Sequence, residues 1–179
     1  TRLGRTIAGH WPGVLTSLAV SADGARILCG SSEFDVRVWD ADTGAEVLAW
    51  KNAELFTAFA FSPDGRRIAG ASGGGTITVW NADSGKTVLS WRGCRFSINS
   101  IAFTSDGRRI ATASKDHVLQ LWDAETGRCL GTCRGHTSSV DAVTADPHGQ
   151  LIGTGSADHT VGLWDIKARG KPGVLNAKA

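Results

Sequence analysis

Tryptophan recurs through this chain at a nearly constant interval, and that interval limits the possible folds more than any other feature. Trp39, Trp80, Trp122 and Trp164 are separated by 41, 42 and 42 residues, and each is followed by Asp or Asn. A period of about 40 residues is typical of repeat proteins in which each repeat is one supersecondary unit. The chain is therefore predicted to contain four copies of one structural unit.

Turn signals and short apolar runs divide each repeat into strands. Turn motifs such as Pro63-Asp64-Gly65 lie upstream of each tryptophan, and motifs such as Asp123-Ala-Glu-Thr-Gly127 follow the first three. Between the turns, alternating apolar residues such as Phe59 and Phe61 predict β-strands. Each repeat is thus predicted to be a four-stranded antiparallel meander. Because such a sheet cannot bury both faces alone, the sheets are expected to stack radially.

These repeats resemble the WD-repeat β-propeller family. Gly9-His10 with Trp39-Asp40, and Gly135-His136 with Trp164-Asp165, look like its signature, and the resemblance covers residues 5 to about 166. It implies an all-β fold, a β-propeller of four-stranded antiparallel blades with four blades in this chain. The repeats are expected at about residues 9–50, 51–92, 93–134 and 135–175, and residues 1–8 are expected to form a strand that completes a last blade.

The resemblance also implies a hydrogen-bonded relay inside each blade, in which Asp and Ser hold a buried His and the Ser meets the Trp indole N–H. Burial of these polar groups is tolerable because each has a partner, whereas an unpaired one costs about 1–3 kcal/mol. Only blade 4 carries the full set, and blade 2, with Asn52 and Gly74 in place of His and Asp, is expected to be the least fixed internally. The expected relay residues are His136, Ser156, Asp158 and Trp164 in blade 4; Ser114, Asp116 and Trp122 in blade 3; Ser72 and Trp80 in blade 2; and His10, Ser31 and Trp39 in blade 1.

Two motifs suggest enzymatic chemistry, but their surroundings argue against it. The Ser, His and Asp of blade 4 are the residue types of a hydrolase triad. Trp164 at the repeat position explains them as a relay, and no G-x-S-x-G elbow lies nearby. Residues 73–75 are a glycine run that leads into a strand, not into the helix that a phosphate loop needs. No catalytic residue is therefore predicted.

The composition narrows the partners. A net charge of +2, with 19 basic and 17 acidic residues spread along the chain, provides no concentrated field for nucleic acid or a membrane surface. The four cysteines form no C-x-x-C pair, and His117 and His159 are assigned to turns, so no metal or other cofactor is expected. A reducing compartment fits these cysteines best, and we expect a cytoplasmic protein.

A partner-binding face is implied by the resemblance. In such propellers the side chains before and at the start of the first strand, and the one before the relay Asp, point from one rim. Their mixed, mildly polar character suits a protein or peptide, although Lys115 with Arg92 and Arg95 could form a small positive spot. The expected face comprises Val14, Thr16, Ser32, Leu55, Thr57, Gly73, Ser97, Asn99, Lys115, Ser139, Asp141 and Ala157.

Four blades pose a problem of closure, because propellers commonly have about 4–8 blades and this family mostly has more than four. The segment Arg5–Ala8 reads like a fourth strand without a blade of its own, while Pro172 and Gly173 disfavour a regular strand in the last repeat. We expect strand exchange between two copies, giving a homodimer that closes an eight-bladed ring. The alternative is a longer chain whose further blades close the ring.

The predicted function is a non-catalytic scaffold or adaptor that presents one ring face to other proteins. The alternatives are a carbohydrate- or small-ligand-binding propeller that uses the central channel, and an accessory domain of a larger signalling enzyme. The choice of a scaffold rests on the resemblance alone.

Overall fold

The computed structural model of the chain describes residues 13–166 and the backbone of Val174–Asn176, and the described residues form strands and turns without a helix. The strands make four sheets, here called blades 1 to 4. Blade 1 comprises β1 (Leu15–Val20), β2 (Arg26–Ser31), β3 (Asp35–Asp40) and β4 (Glu46–Lys51); blade 2 comprises β5 (Phe56–Phe61), β6 (Arg67–Ser72), β7 (Thr76–Asn81) and β8 (Thr87–Arg92). Blade 3 comprises β9 (Ile98–Phe103), β10 (Arg109–Ser114), β11 (Val118–Asp123) and β12 (Cys129–Arg134); blade 4 comprises β13 (Val140–Ala145), β14 (Leu151–Ser156), β15 (Val161–Asp165) and β16 (Val174–Asn176).

Every blade is a meander in which consecutive strands pair antiparallel. The repeated tryptophan lies in the third strand opposite an isoleucine of the second, as in the pairs Trp80–Ile68 and Trp122–Ile110. The glycines of the predicted turns, such as Gly65, have positive φ, which a residue without Cβ adopts at little cost. The prediction of an all-β fold built from four-stranded antiparallel blades is confirmed.

The blades are stacked in chain order through their inner strands, with β1 against β5, β5 against β9 and β9 against β13. One face of each blade, the trailing face, contacts the next blade. Val36, Ile77 and Leu119 occupy the same register position on the trailing faces of blades 1, 2 and 3, and each is at most 1% exposed. Val161 occupies that position in blade 4 and is 57% exposed, because no described residues cover it. The trailing face of blade 4 is therefore open.

The opposite, leading face of each blade shows the same contrast. Phe59 in blade 2 and Ile101 in blade 3 are 6% exposed because the preceding blade covers them, whereas Leu18 at the same position in blade 1 is 63% exposed. Phe59 packs onto Gly30 so closely that a Cβ at Gly30 would lie 2.4 Å from the phenyl Cε2. The stack of four blades thus ends in two uncovered apolar surfaces, one on each terminal blade.

Arginine side chains tie neighbouring blades together at the rim that carries the first turn of each blade. Arg26, Arg67 and Arg109, at equivalent positions in blades 1, 2 and 3, each donate a hydrogen bond to a backbone carbonyl of the next blade, over 2.9, 2.7 and 3.0 Å. A guanidinium hydrogen bond of this kind joins two blades by directional contacts that apolar packing alone does not provide. Blade 4 has Leu151 at this position, so it carries no such side chain for a following blade.

The last blade differs from the sequence-based expectation at its outer edge. The chain itself supplies a short fourth strand, β16, which pairs with β15 through Gly162–Asn176, Leu163–Leu175 and Trp164–Val174. Only three residues take part, immediately after the Pro172-Gly173 pair that was expected to disfavour a strand. Residues 1–8, expected to complete a last blade, lie outside the described residues, and strand exchange remains a prediction.

The turn between the second and third strands contains one position with positive φ in every blade. Phe34, Gly75, His117 and His159 occupy the same place between the second and third strands, and all have positive φ between 67° and 84°. The two turn histidines, His117 and His159, thus adopt a left-handed backbone conformation that glycine adopts at lower cost. At Gly75 a Cβ would also lie 2.3 Å from the carbonyl oxygen of Cys94, a backbone atom that cannot move away cheaply.

We predict opposite effects at two of these positions. Gly75→Ala should lower the free energy of unfolding by about 1–3 kcal/mol or more, because it combines left-handed strain with a backbone clash. His117→Gly should raise it or leave it unchanged, because it relieves strain of about 1–2 kcal/mol at some entropic cost. Urea unfolding of both variants measures the two effects. A Gly75→Ala protein as stable as the parent would contradict the geometry.

Candidate protein-interaction surface

A buried histidine in blade 4 connects three parts of the blade. His136 contacts the carboxylate of Asp158 through Nδ1, at 2.9 Å, and the hydroxyl of Thr154 through Nε2, at 2.8 Å. The indole Nε1–H of Trp164 donates to the same Thr154 hydroxyl over 2.8 Å. The side chains of His136 and Asp158 are 4% and 8% exposed. The loop before β13, the turn after β14 and the strand β15 are therefore held by one hydrogen-bonded network.

Asp158 is the charged member of this network. Its carboxylate accepts hydrogen bonds from the hydroxyl and the backbone N–H of Thr160, from the backbone N–H of Thr137 and from His136. The hydrogen bond from the Thr160 hydroxyl, followed by the others, holds the pKa of Asp158 well below its usual range. The carboxylate therefore stays ionised at neutral pH and keeps the turn in place.

The hydroxyl that meets the tryptophan is not the expected one. Ser156 donates instead to the backbone carbonyl oxygens of Ser138 and Ser139, at 3.3 and 2.8 Å, and accepts from the backbone N–H of Asp158. Thr154, two residues earlier on the same strand face, takes the position between His136 and Trp164. The assignment of Ser156 to the indole was wrong, and Ser156 also lacks the hydrogen bond to His136 that a hydrolase triad needs.

Blade 3 repeats part of this arrangement. Trp122 Nε1–H donates to Thr112 over 2.9 Å, so Thr112, and not Ser114, is the equivalent of Thr154. Ser114 donates to the Asp116 carboxylate. Cys94 stands where blade 4 has His136, its thiol donates to the Phe96 carbonyl oxygen, and burial raises its pKa. The hydrogen bond between Trp122 and Thr112 is consequently separate from that between Ser114 and Asp116.

Blades 1 and 2 differ further from the hydrogen-bonded network of blade 4. In blade 1, His10 lies outside the described residues. Ser31 is buried and accepts a hydrogen bond from the backbone N–H of Glu33. Cys29 stands at the position of Thr154, and Trp39 is buried. In blade 2, Ser72 donates to Glu54, a residue of the preceding loop, over 2.8 Å.

Aromatic packing takes the place of the relay in blade 2. Gly70 occupies the position of Thr154, and a Cβ there would lie 2.7 Å from the Trp80 ring. Phe56 meets Trp80 edge to face at a centroid distance of 4.9 Å, and Trp50 of blade 1 packs on Trp80 at 5.8 Å. Trp91 packs on Trp122 in the same way, at 6.0 Å. Trp50 and Trp91 are thus interblade packing residues.

The predicted rim residues are brought together in pairs. In each blade a backbone N–H of the turn between the second and third strands donates to a carbonyl of the loop that enters the first strand. The four bonds measure 2.8, 3.3, 3.0 and 2.9 Å and connect Ser32 to Val14, Gly73 to Leu55, Lys115 to Ser97 and Ala157 to Ser139. Eight of the twelve predicted face residues therefore form a repeated two-loop rim.

Three of the four remaining face residues form hydrogen bonds between neighbouring blades. Thr16, Thr57 and Asn99 donate from the first strand of blades 1, 2 and 3 to the backbone carbonyl of the first residue in the neighbouring inner strand, over 3.2, 2.6 and 3.0 Å. These side chains join blades. Asp141, at the equivalent position in blade 4, accepts from Asn99 and Ser139 and remains exposed.

The rim surface itself is uneven. Val14 is 73% exposed and Leu55 is 36% exposed. Lys115, Gly73 and Ala157 are also exposed. Ser32, Ser97 and Ser139 are half-buried. Arg92 and Arg95 are exposed, and the positive spot that they were expected to form with Lys115 stays a prediction. The described residues contain no cluster of three His, Cys, Asp or Glu side chains arranged to hold a metal ion.

The inner strands end around a cavity of about 570 Å³ at the opposite rim. Val20, Phe61, Phe103 and Ala145 line it, together with Asp146 and residues of the first turns. Among the described residues no helix is long and apolar enough to cross a membrane.

Four stacked four-stranded meanders with a shared rim define the chain as a β-propeller repeat protein. A family model described as WD domain, G-beta repeat, matches residues 1–40, 51–81, 85–123 and 127–165, and the chain belongs to this WD-repeat family. No curated protein matches the chain. WD-repeat domains generally act as protein-interaction scaffolds and are generally non-catalytic, and this chain is a domain of that type.

The assignment of the relay hydroxyl gives a prediction. Thr154→Val should lower the free energy of unfolding by about 1–3 kcal/mol, because it leaves His136 and the Trp164 indole without their shared partner. Ser156→Ala removes bonds to two backbone carbonyls that lie nearer the surface, and its effect should be smaller. Thermal and urea unfolding of both variants compare them. A larger loss for Ser156→Ala would restore the original assignment.

Proposed function

We propose that this chain is a non-catalytic scaffold or adaptor that holds a protein or peptide partner on the rim formed by the loops before the first strands and the turns after the second strands. The observation that carries the proposal is the pairing of these loops. Four equivalent backbone hydrogen bonds fix the two loops of every blade to each other, and Thr16, Thr57 and Asn99 fix one blade to the next. Loops held on a rigid frame lose little conformational entropy on binding.

The side chains on this rim favour a protein partner over nucleic acid. Exposed Val14 and Leu55 offer apolar contacts, exposed Lys115, Arg92 and Arg95 offer positive charge, and exposed Asp141 offers negative charge. Nucleic-acid surfaces concentrate positive charge on one face, and this rim mixes both signs. The four cysteines are free, which supports a reducing compartment such as the cytoplasm as the proposed location.

Site-specific photo-crosslinking tests the rim. A photoreactive amino acid at Lys115 is placed on the proposed face, and the same amino acid at Lys86 is placed in a turn at the opposite rim. Both lysines are exposed and neither lies in a strand interior, so Lys86 is a matched control. We expect discrete protein adducts in cells from position 115 and none from position 86. Equal adducts at both positions, or adducts at position 86 alone, would contradict the proposed face.

We further propose that two copies close an eight-bladed ring. The trailing face of blade 4 carries Val161 and Gly155, and the leading face of blade 1 carries Leu18. Gly155 has the register position of Gly30, and Leu18 has that of Phe59, which pack together between blades 1 and 2. The two open faces therefore have the same large-on-small complementarity as an existing joint. Because β16 pairs with the outer edge of blade 4, packing of these two faces closes the ring whether or not residues 1–8 are exchanged.

Light scattering tests this ring. The chain of 18.8 kDa should show about twice that mass, and Val161→Glu should reduce it to one chain, because the substitution places a charge in an apolar joint. Val88→Glu is the matched control, since Val88 is 61% exposed on the outer strand of blade 2, away from both open faces. A parent chain that remains a single copy at high concentration would overturn the two-copy ring and leave closure to further blades of a longer protein.

The cavity at the opposite rim gives little support to the carbohydrate alternative. Its lining is mainly apolar, with Ser105 and Asp146 as the polar side chains among nine residues. Sugar recognition needs several placed hydrogen-bonding groups, and this lining offers few.

A further inference from the structure

Blade 2 contains a polar cavity at the place where blade 4 holds its relay. Asn52, Thr76, Thr78 and Trp80 line it at the register positions of His136, Thr160, Gly162 and Trp164. Its volume is about 190 Å³. Three relay positions differ in this blade, with Asn52 for His, Gly70 for Thr and Gly74 for Asp. Aromatic rings pack over Gly70 and the Glu54 carboxylate lies beside Gly74, so the cavity is the space left between Asn52, Glu54 and the third and fourth strands of the blade.

The walls of the cavity offer both donors and acceptors. Asn52 Nδ2 is buried without a hydrogen-bond partner among the described residues. Leaving a buried amide N–H unpaired costs free energy that a ligand acceptor would recover. Glu54 is the one charged residue in the lining, and its two carboxylate oxygens already accept from Ser72 and Thr76. Thr78 and Ser90 hydroxyls are bonded to each other at 2.9 Å.

These groups favour a ligand that both donates and accepts hydrogen bonds. A carboxylate or phosphate would be repelled by Glu54. A cation would be attracted by Glu54 but would leave the N–H of Asn52 unpaired, because an ammonium or guanidinium group offers no acceptor. A carboxamide presents a carbonyl oxygen to Asn52 and N–H groups to Glu54 at the same time. The rings of Phe56 and Trp80 supply the apolar wall that the methylene groups of such a side chain would contact.

We propose that the cavity of blade 2 binds the carboxamide of a glutamine or asparagine side chain from a partner protein. The cavity is smaller than the ~300–1,000 Å³ of small-molecule sites and suits one side chain. Asn52 and Glu54 belong to the loop that also carries Leu55, so the cavity adjoins the rim. The inference rests on the proposed function in taking a partner as the source of the amide.

A titration with four-carbon probes tests the chemistry without a partner, so its failure is separable from failure of the rim crosslinks. Butyramide, butylammonium, butyrate and butanol are added to the ¹⁵N-labelled full chain, and the indole N–H signals are followed, with Trp80 assigned by Trp80→Phe. We expect a saturable shift of the Trp80 signal with butyramide alone. Saturable binding of butylammonium or butanol in preference to butyramide, or no saturable shift with any probe, would overturn the proposal.

Two variants separate the amide from the alternatives. Asn52→Asp replaces the unpaired N–H by an acceptor oxygen and should weaken butyramide binding by about tenfold or more. Glu54→Gln removes the charge and keeps an acceptor, so butyramide should still bind, whereas a site for cations would lose its ligand. Thr132→Val, at the position of Ser90 one blade further on, is the control and should change nothing. Retained butyramide binding in a folded Asn52→Asp protein would contradict the assigned contact.

Discussion

The need of each sheet to bury two apolar faces determines the rest of this structure. A four-stranded meander covers neither face by itself, and in this chain a neighbouring copy of the same meander provides the cover. Ile77 and Leu119 are fully buried by the next blade, whereas Val161 in the last blade is left more than half exposed. The same residue position is therefore core or surface according to whether a further blade follows. Apolar packing therefore determines how the blades stack. It also requires that the two terminal faces be covered, which a closed ring would achieve.

Directional contacts then fix the stack at both rims. Arginines of the second strands reach carbonyl oxygens of the next blade at one rim, and Thr16, Thr57 and Asn99 do so near the other. Hydrogen bonds between the two loops of each blade extend this order to the rim surface. The rim surface available to a partner is thus held by hydrogen bonds to the strands of its own blade and of the neighbouring blades. In blade 2, which lacks the relay His, Thr and Asp, aromatic rings pack on Trp80 and a polar cavity lies beside it.

The spacing of the tryptophans, the turn glycines and the alternation of apolar residues were sufficient to predict the strands and their order. The relay hydroxyl was misassigned because Thr154 and Ser156 are two residues apart on one strand, and such residues share a face. The sequence pattern alone does not show which of them reaches Trp164. A signal was nevertheless available, because blades 3 and 4 both have a threonine ten residues before the repeated tryptophan, Thr112 and Thr154. The role of Glu54 had no such signal, because its position in the loop has no acidic counterpart in the other blades.

Electron microscopy of the purified chain tests the central claim most directly, because it shows how the sheets are arranged around one another. The account predicts particles in which four-stranded blades are packed face to face around an axis, with both terminal faces of every chain covered, as eight blades in a closed ring. Particles in which the sheets lie as two flat layers, or in which the Leu18 and Val161 faces remain uncovered in solution, would contradict it.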